Sequence, residues 1–250
     1  MRKFLMSVAA FAASASLLFA QGPPVRVLCS NGIRAALEES LPQAEKAVGH
    51  KIAVQFSSSA SLKQRIDGGE TFDVVILTPD LIDDLIKQGK VTSGSMVNLA
   101  RAGIGVGIRN GTPKPDISSE AAMKQTLLQV KSVTYTKNGA SRSYIEKMYE
   151  KLGITKEMAP KIILQEMPGR AERVVGEGGA DMVITLVSEI LPTPGVQVVG
   201  PLPGALQNYI SFSGGVGSKT ADAGASKALL KFLSSAELAP VYKAKGMEAR

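Results

Sequence analysis

"VRVLCSNGIRAALEESLPQAEKAVGHKIAVQFSSSASLKQRIDGGETFDVVILTPDLIDDLIKQGK", residues 25–90, decides the fold class. "VRVLCS" (25–30) reads as a short buried strand. "KIAVQF" (51–56) alternates as a strand does, and "FDVVIL" (72–77) is an apolar run of strand length. Helical patterns follow each of them. In "GIRAALEESLPQAEKAVG" (32–49), Ile33, Ala36, Leu37, Leu41 and Ala44 share one stripe, and Pro42 predicts a kink or a second segment. "SLKQRIDGG" (61–69) is a short helix stopped by Gly68 and Gly69. "PDLIDDLIKQGK" (79–90) has Pro79 in its first turn and Gly89 at its end. Strand and helix in strict alternation are the mark of an α/β fold with largely parallel strands.

The rhythm continues beyond residue 90. Strands are expected at 103–108, 132–136, 161–167, 180–187, 196–200 and within 207–217. Helices are expected at 118–130, 141–153, 169–179 and 225–246. The strands form two groups that part near residues 101–110 and meet again near 205–212. That arrangement is compatible with two lobes crossed by two chain segments, and also with one continuous sheet.

The first twenty residues, "MRKFLMSVAAFAASASLLFA", have a basic start at Arg2 and Lys3, an alanine-rich apolar core and Ala20 before "QGPP". This reads as a secretory signal cleaved after Ala20; the many small residues argue against a membrane anchor. Cys29 is the single cysteine, so a disulfide framework is excluded, and it lies too far beyond the leader's core to carry a lipid. It reads as a packed residue at a strand end. The formal charge of +7 falls to +5 once Arg2 and Lys3 leave with the leader. A mild positive balance suits an anionic ligand. Nucleic acid is not expected, because there is neither a dense basic stripe nor aromatic interleaving. One histidine, one cysteine and no spaced acidic motif give no metal site, and no cofactor is expected.

In open α/β sheets ligands bind beyond the carboxyl ends of the strands. Those ends carry Ser30, Asn31 and Gly32; then Ser57, Ser58 and Ser59; then Thr78; then Lys137 to Arg142, including Ser141; then Thr185 and Ser188. Most precede a helix start, where unpaired N–H groups and a partial positive charge favour an anion. One N-cap needs one hydroxyl. Four serines within "SSSAS" (57–61), next to Ser30 and Asn31, exceed that need. A serine nucleophile would need a base. His50 lies at the opposite end of the sheet, Ala60 stands where a Ser-x-x-Lys motif ending at Lys63 would need serine, and "GASRS" (139–143) has Ser143 where a nucleophile elbow needs glycine. The serines therefore read as binding groups and the chain as no enzyme. A secreted α/β serine hydrolase using Ser59 or Ser141 is the alternative.

Residues 25–91, with the later "YIEKMYEKLGI" and "GGADMVIT", resemble the periplasmic molybdate-binding proteins of ABC importers, over nearly the whole mature chain. The resemblance is stronger to the wider class of type II solute-binding proteins than to molybdate binders proper. It implies a periplasmic binding protein type II fold: two Rossmann-like α/β lobes joined by hinge strands, with lobe I at 25–103 and 206–250 and lobe II at 104–205. It implies an oxyanion held by serines, backbone N–H groups and a second-lobe tyrosine. Carried over, the first ligand serine falls at Gly32, preceded by Ser30 and Asn31, and the second at Ser59. The second-lobe backbone contacts fall near Ser141 and Pro168–Gly169, and the tyrosine falls at Leu186. Gly32 and Leu186 thus remove two hydroxyl donors. Arg142 stands beside the expected cleft, where a guanidinium fork suits a carboxylate; Lys137 and Arg170 are weaker candidates of the same kind. The expected ligand-binding residues are Ser30, Asn31, Gly32, Ser58, Ser59, Thr78, Ser141, Arg142 and Thr185. The expected role is that of a monomeric periplasmic protein that captures a molybdate-like oxyanion or a small organic acid for an inner-membrane ABC permease. A module signalling ligand occupancy to a membrane receptor is the other alternative.

Overall fold

The computed structural model describes residues 22–250, and the expected leader at 1–20 lies outside them. Among the described residues the chain runs β1 (Val25–Ser30), α1 (Arg34–Val48), β2 (Ile52–Ser57), α2 (Ser59–Asp67), β3 (Val74–Leu77), α3 (Pro79–Lys87) and β4 (Val97–Arg109). It continues through α4 (Glu120–Gln129), β5 (Val133–Thr136), α5 (Arg142–Leu152), α6 (Thr155–Met158), β6 (Ile162–Gln165), α7 (Arg170–Gly176), β7 (Met182–Leu186) and α8 (Val187–Ile190). The last elements are β8 (Val196–Pro201), β9 (Tyr209–Val216), α9 (Ala223–Leu233), α10 (Ala239–Ala244) and β10 (Met247–Ala249).

Three expectations need correction. Pro42 neither ends nor divides α1; it sits on the exposed side, where the carbonyl that loses its partner faces solvent rather than the core. The expected helix at 225–246 is two, because a turn through Ser235 intervenes and Pro240 opens α10. The helix expected from Ser61 begins at Ser59, with Ser58 as its cap.

The strand order is β2-β1-β3-β9-β4-β7-β5-β6, with β8 and β10 also on β4. β1 is parallel to β2 and β3, and β5 is parallel to β6 and β7. Strand β4 serves both groups. Residues 97–103 pair with β9, with β10 beside them, and residues 104–109 pair with β7 and β8. The result is two α/β lobes hinged on shared strands. At the change of partner, Gln207 bridges the backbone of Ile104. Its Oε1 accepts from the Ile104 N–H at 3.0 Å, and its Nε2 donates to the Ile104 carbonyl at 3.0 Å.

The glycines of "GIGVGI" have a packing cause. Gly103, Gly105 and Gly107 fall on one face of β4 by the two-residue period. A Cβ at Gly105 would lie 2.7 Å from Val187 Cγ2 and 2.9 Å from the Gly200 oxygen; at Gly107 it would lie 2.8 Å from Ile190 Cγ2. Helix α8 therefore lies flush on the strand.

Gln207→Ala removes both side-chain bonds to Ile104 and a third accepted from the Asn208 N–H. The expected cost is about 1–3 kcal/mol, seen as a lower urea midpoint at unchanged slope. An unaltered midpoint would mean that the backbone alone holds the crossing.

Candidate functional site

The parallel pairing of β1 with β2 sets Ser30 opposite Ser57, so the turns after both strands open at the same sheet end. The serines there divide their work. Ser58 Oγ accepts from the Ser61 N–H at 3.1 Å and donates to Ser61 Oγ at 2.8 Å, which caps α2. Ser59 is buried, and its Oγ donates to Ser30 Oγ at 2.9 Å. Ser30 and Ser59 are thus paired with each other across two strands, clear of the cap. His50 lies near Asp222, at 3.5 Å, so it is not the base of a Ser–His pair with Ser59, whose Oγ bonds Ser30.

A narrow throat lies between the two lobes, with a free volume of about 20 Å³, room for roughly one water. Ser30, Asn31, Gly32, Ser58 and Ser59 line it from one side. Ser141, Thr185, Leu186 and Glu189 line it from the other, with Phe212 between. The throat widens on both flanks. One opening, of about 600 Å³, includes Thr78, Tyr144 and Tyr209. The other, of about 310 Å³, includes Arg34, Glu38, Glu172, Arg173 and Glu189. Two side-chain bonds cross the throat: Asn31 Nδ2 donates to Glu189 Oε1 at 3.1 Å, and Ser188 Oγ donates to the Gly32 carbonyl at 2.7 Å.

Seven of the nine expected residues meet at this throat: Ser30, Asn31, Gly32, Ser58, Ser59, Ser141 and Thr185. Thr78 lies in the wider flank. Arg142 does not line the cleft. Its Nε donates to Glu146 Oε1 at 2.8 Å and its Nη1 to the Lys137 carbonyl at 3.0 Å, so the guanidinium is held on its own helix. Lys137 and Arg170 are likewise paired, with Glu166 and Glu177.

Gly32 and Leu186 belong to one packing unit. A Cβ at Gly32 would lie 2.4 Å from Phe212 Cζ and 2.7 Å from Leu186 Cδ1. The space that a serine side chain would need is filled by an aromatic ring and the leucine. The two missing hydroxyls are therefore a single change that gives the throat an apolar wall.

The sequence reading missed two carboxyl groups. Glu189 stands on α8, directly after β7. Its Oε2 accepts from Thr185 Oγ1 at 2.5 Å while Oε1 holds Asn31. A search three residues beyond the end of β7 would have found it. Glu172, on α7, is 1% exposed, and neither of its oxygens has a hydrogen-bond partner. Burial first, and then the charge of Glu189, push its carboxyl up to about 8. Nothing in "GRAERVVG" distinguishes Glu172 from a solvated helix charge.

A hinged pair of α/β lobes with a polar throat between them defines a two-lobed solute-binding protein. The chain belongs to the bacterial extracellular solute-binding protein family, whose sequence model matches residues 25–248. It is 33% identical over 244 residues to an aconitate isomerase of a Pseudomonas species, covering 94% of this chain and 92% of that protein. It is 24% identical over 233 residues to the molybdate-binding protein ModA of Azotobacter vinelandii, covering 91% and 90%. The solved periplasmic molybdate-binding protein of A. vinelandii shares the fold with a TM-score of 0.72 at 17% identity, covering 89% of this chain and 98% of that one. No helix among the described residues is long and apolar enough to cross a membrane.

Gly32→Ser is expected to lower stability by about 1–3 kcal/mol through overpacking, and pairing it with Leu186→Ala should recover part of that loss. Thermal unfolding of the two variants checks this; equal melting of Gly32→Ser and the parent would refute the packing argument. Glu172 supplies a second test. Folded, it keeps its proton to about pH 8; unfolded, it loses it near 4.5. Between those values the unfolded state binds fewer protons, so stability falls as pH rises. The Glu172 contribution is full below 4.5 and lost toward 8. Glu172→Gln should flatten this decline in unfolding measured across the window.

Proposed function

We propose that the cleft captures a small organic acid with two or more carboxylates. The lobes, 25–103 with 206–250 and 104–205, close on it in the periplasm, and the monomeric protein hands it to an inner-membrane ABC permease. The observation that carries this reading is the apolar wall of Gly32, Leu186 and Phe212 beside the hydroxyls of Ser30 and Ser59. An inorganic oxyanion has no apolar part to set against such a wall, whereas a carbon skeleton does. The start of α2 at Ser59 and of α5 after Ser141 supply donors for one carboxylate. Arg34 and Arg173, in the flanking cavity, favour a second.

Glu189 strengthens the choice. An ionised carboxylate accepts hydrogen bonds and repels a fully ionised oxyanion. A ligand whose carboxylates are spread along a chain can keep them away from it. The 33% identical relative is named for aconitate, a tricarboxylate, and the 24% identical one for molybdate. The serine-hydrolase alternative lacks a histidine base at Ser59.

Isothermal titration with cis- and trans-aconitate, citrate, tricarballylate, molybdate, tungstate and sulfate tests the reading. At least one polycarboxylate should bind about tenfold or more tighter than any oxyanion. Tight molybdate binding with silent carboxylates would overturn it. Ser59→Ala should weaken the carboxylate by about tenfold to a hundredfold, the loss of one hydrogen bond to a charged group.

A further inference from the structure

The two lobes touch directly at the throat. The turn Asn31–Ile33, between β1 and α1, lies against β7 and α8. Asn31 Nδ2 donates to Glu189 Oε1 at 3.1 Å, and Ser188 Oγ donates to the Gly32 carbonyl at 2.7 Å. Gly32 is pressed on Leu186, because a Cβ there would fall 2.7 Å from Leu186 Cδ1. Ser188 is 4% exposed, so water competes little for its bond. Polar and apolar groups of the two lobes thus satisfy each other.

Little space remains between them. The free volume of about 20 Å³ at Ser30, Ser59, Ser141 and Thr185 holds roughly one water. Sites for small organic molecules take about 300 Å³ or more. The flanking cavities, of about 310 and 600 Å³, have that room and the throat between them does not. An acid that reaches from the start of α2 toward Arg34 and Arg173 passes through the throat. It cannot do so while Asn31 holds Glu189 and Gly32 rests on Leu186. Contacts that fill a binding site stabilise a state the ligand cannot enter, and they subtract from its affinity.

We propose that Asn31 and Ser188 form a latch that holds the lobes in a self-closed state, and that ligand capture waits for this latch to open. The proposal rests on the polycarboxylate reading for its ligand. Opening frees the hydroxyls of Ser30 and Ser59 and the starts of α2 and α5 for the acid. The apparent affinity is then the intrinsic one reduced by the fraction of molecules that are open. Two consequences separate a latch from a contact that forms around the ligand. A bond that persists in the complex loses affinity when it is removed, whereas a bond made only in the competing state raises it. Association in excess ligand is also limited by opening, so its rate levels off. Ser188 is the better handle, since Asn31 also lines the throat and Ser188 does not.

Ser188→Ala tests the latch, with citrate and tricarballylate as probes. Calorimetry gives affinity, solution scattering gives the radius of gyration without added ligand, and stopped-flow tyrosine fluorescence gives rates. The chain has five tyrosines and no tryptophan, and Tyr144 and Tyr209 line the wider flank. Ser188→Ala should bind the probes about two- to tenfold tighter, the worth of one hydrogen bond. Its radius of gyration should exceed that of the parent. The parent's association rate should reach a plateau as ligand rises, and the variant's plateau should be higher. Equal or weaker affinity in the variant overturns the latch, and so does a parent rate that rises linearly without limit. If neither these probes nor any other carboxylate binds, the carboxylate reading fails by itself. Scattering then still decides the latch: a larger variant upholds it and equal radii overturn it. Asn31→Ala, compared with the parent by scattering alone, serves the same purpose if Ser188→Ala does not fold.

Discussion

The site depends on a strand that carries no side chains where a helix must rest. Helix α8 has only four residues, too few to be stable by itself. It exists because Gly105 and Gly107 let Val187 and Ile190 close directly on β4. Fixed there, α8 presents Ser188 to the Gly32 carbonyl and Glu189 to Asn31, the two side-chain bonds that cross the throat. The strand that positions α8 also passes from one lobe to the other, with Gln207 satisfying its backbone at the crossing. Hinge and throat are therefore built on the same thirteen residues.

Closure and the polar throat are coupled through Asn31. With the lobes together, its amide is committed to Glu189, and Thr185 holds the other oxygen. Separating the lobes would break the first bond and let water reach the carboxylate. Closing them removes that water and leaves the Glu189 side chain with fixed donors, an arrangement in which electrostatic interactions strengthen because the local dielectric falls. Glu172, behind it, is enclosed by its own lobe, on α7. The two carboxyl groups therefore respond differently to hinge motion.

The alternation of strand and helix was legible because period and punctuation agreed along most of the chain. The serine turn was legible because three hydroxyls at a strand end exceed the needs of one cap, and the structure separates Ser58 as the cap from Ser59 at the throat. What escaped was set by packing across distance. Helix α8 is a single turn and β10 has three residues, so neither offers a period to read. Glu189 was hidden with α8, and Glu172 sits in a pattern that suits any solvated helix. Arg142 misled for a local reason that was visible: Glu146, four residues on, is its partner. The change at Gly32 was noticed, but only the contact with Leu186 and Phe212 shows that both departures from the molybdate-binding pattern are one packing event.

An anion cleft that contains carboxyl groups invites the objection that it repels its own ligand. Magnitudes decide the matter. Two unit charges 4 Å apart interact by about 4 kcal/mol at an effective dielectric near 20. A hydrogen bond from a serine to a charged group returns about 1.5–3 kcal/mol. In a throat of about 20 Å³ a compact dianion could not keep its distance from Glu189, and its two charges would meet about 8 kcal/mol of repulsion at that spacing against about 3–6 kcal/mol from the hydroxyls of Ser30 and Ser59. A chain-like acid escapes the penalty. On the proposed carboxylate reading, one carboxylate would lie at the start of α2, the carbon skeleton against Leu186 and Phe212, and another carboxylate toward Arg34 and Arg173, with a methylene rather than a charge beside Glu189. Glu172, holding its proton, adds no repulsion.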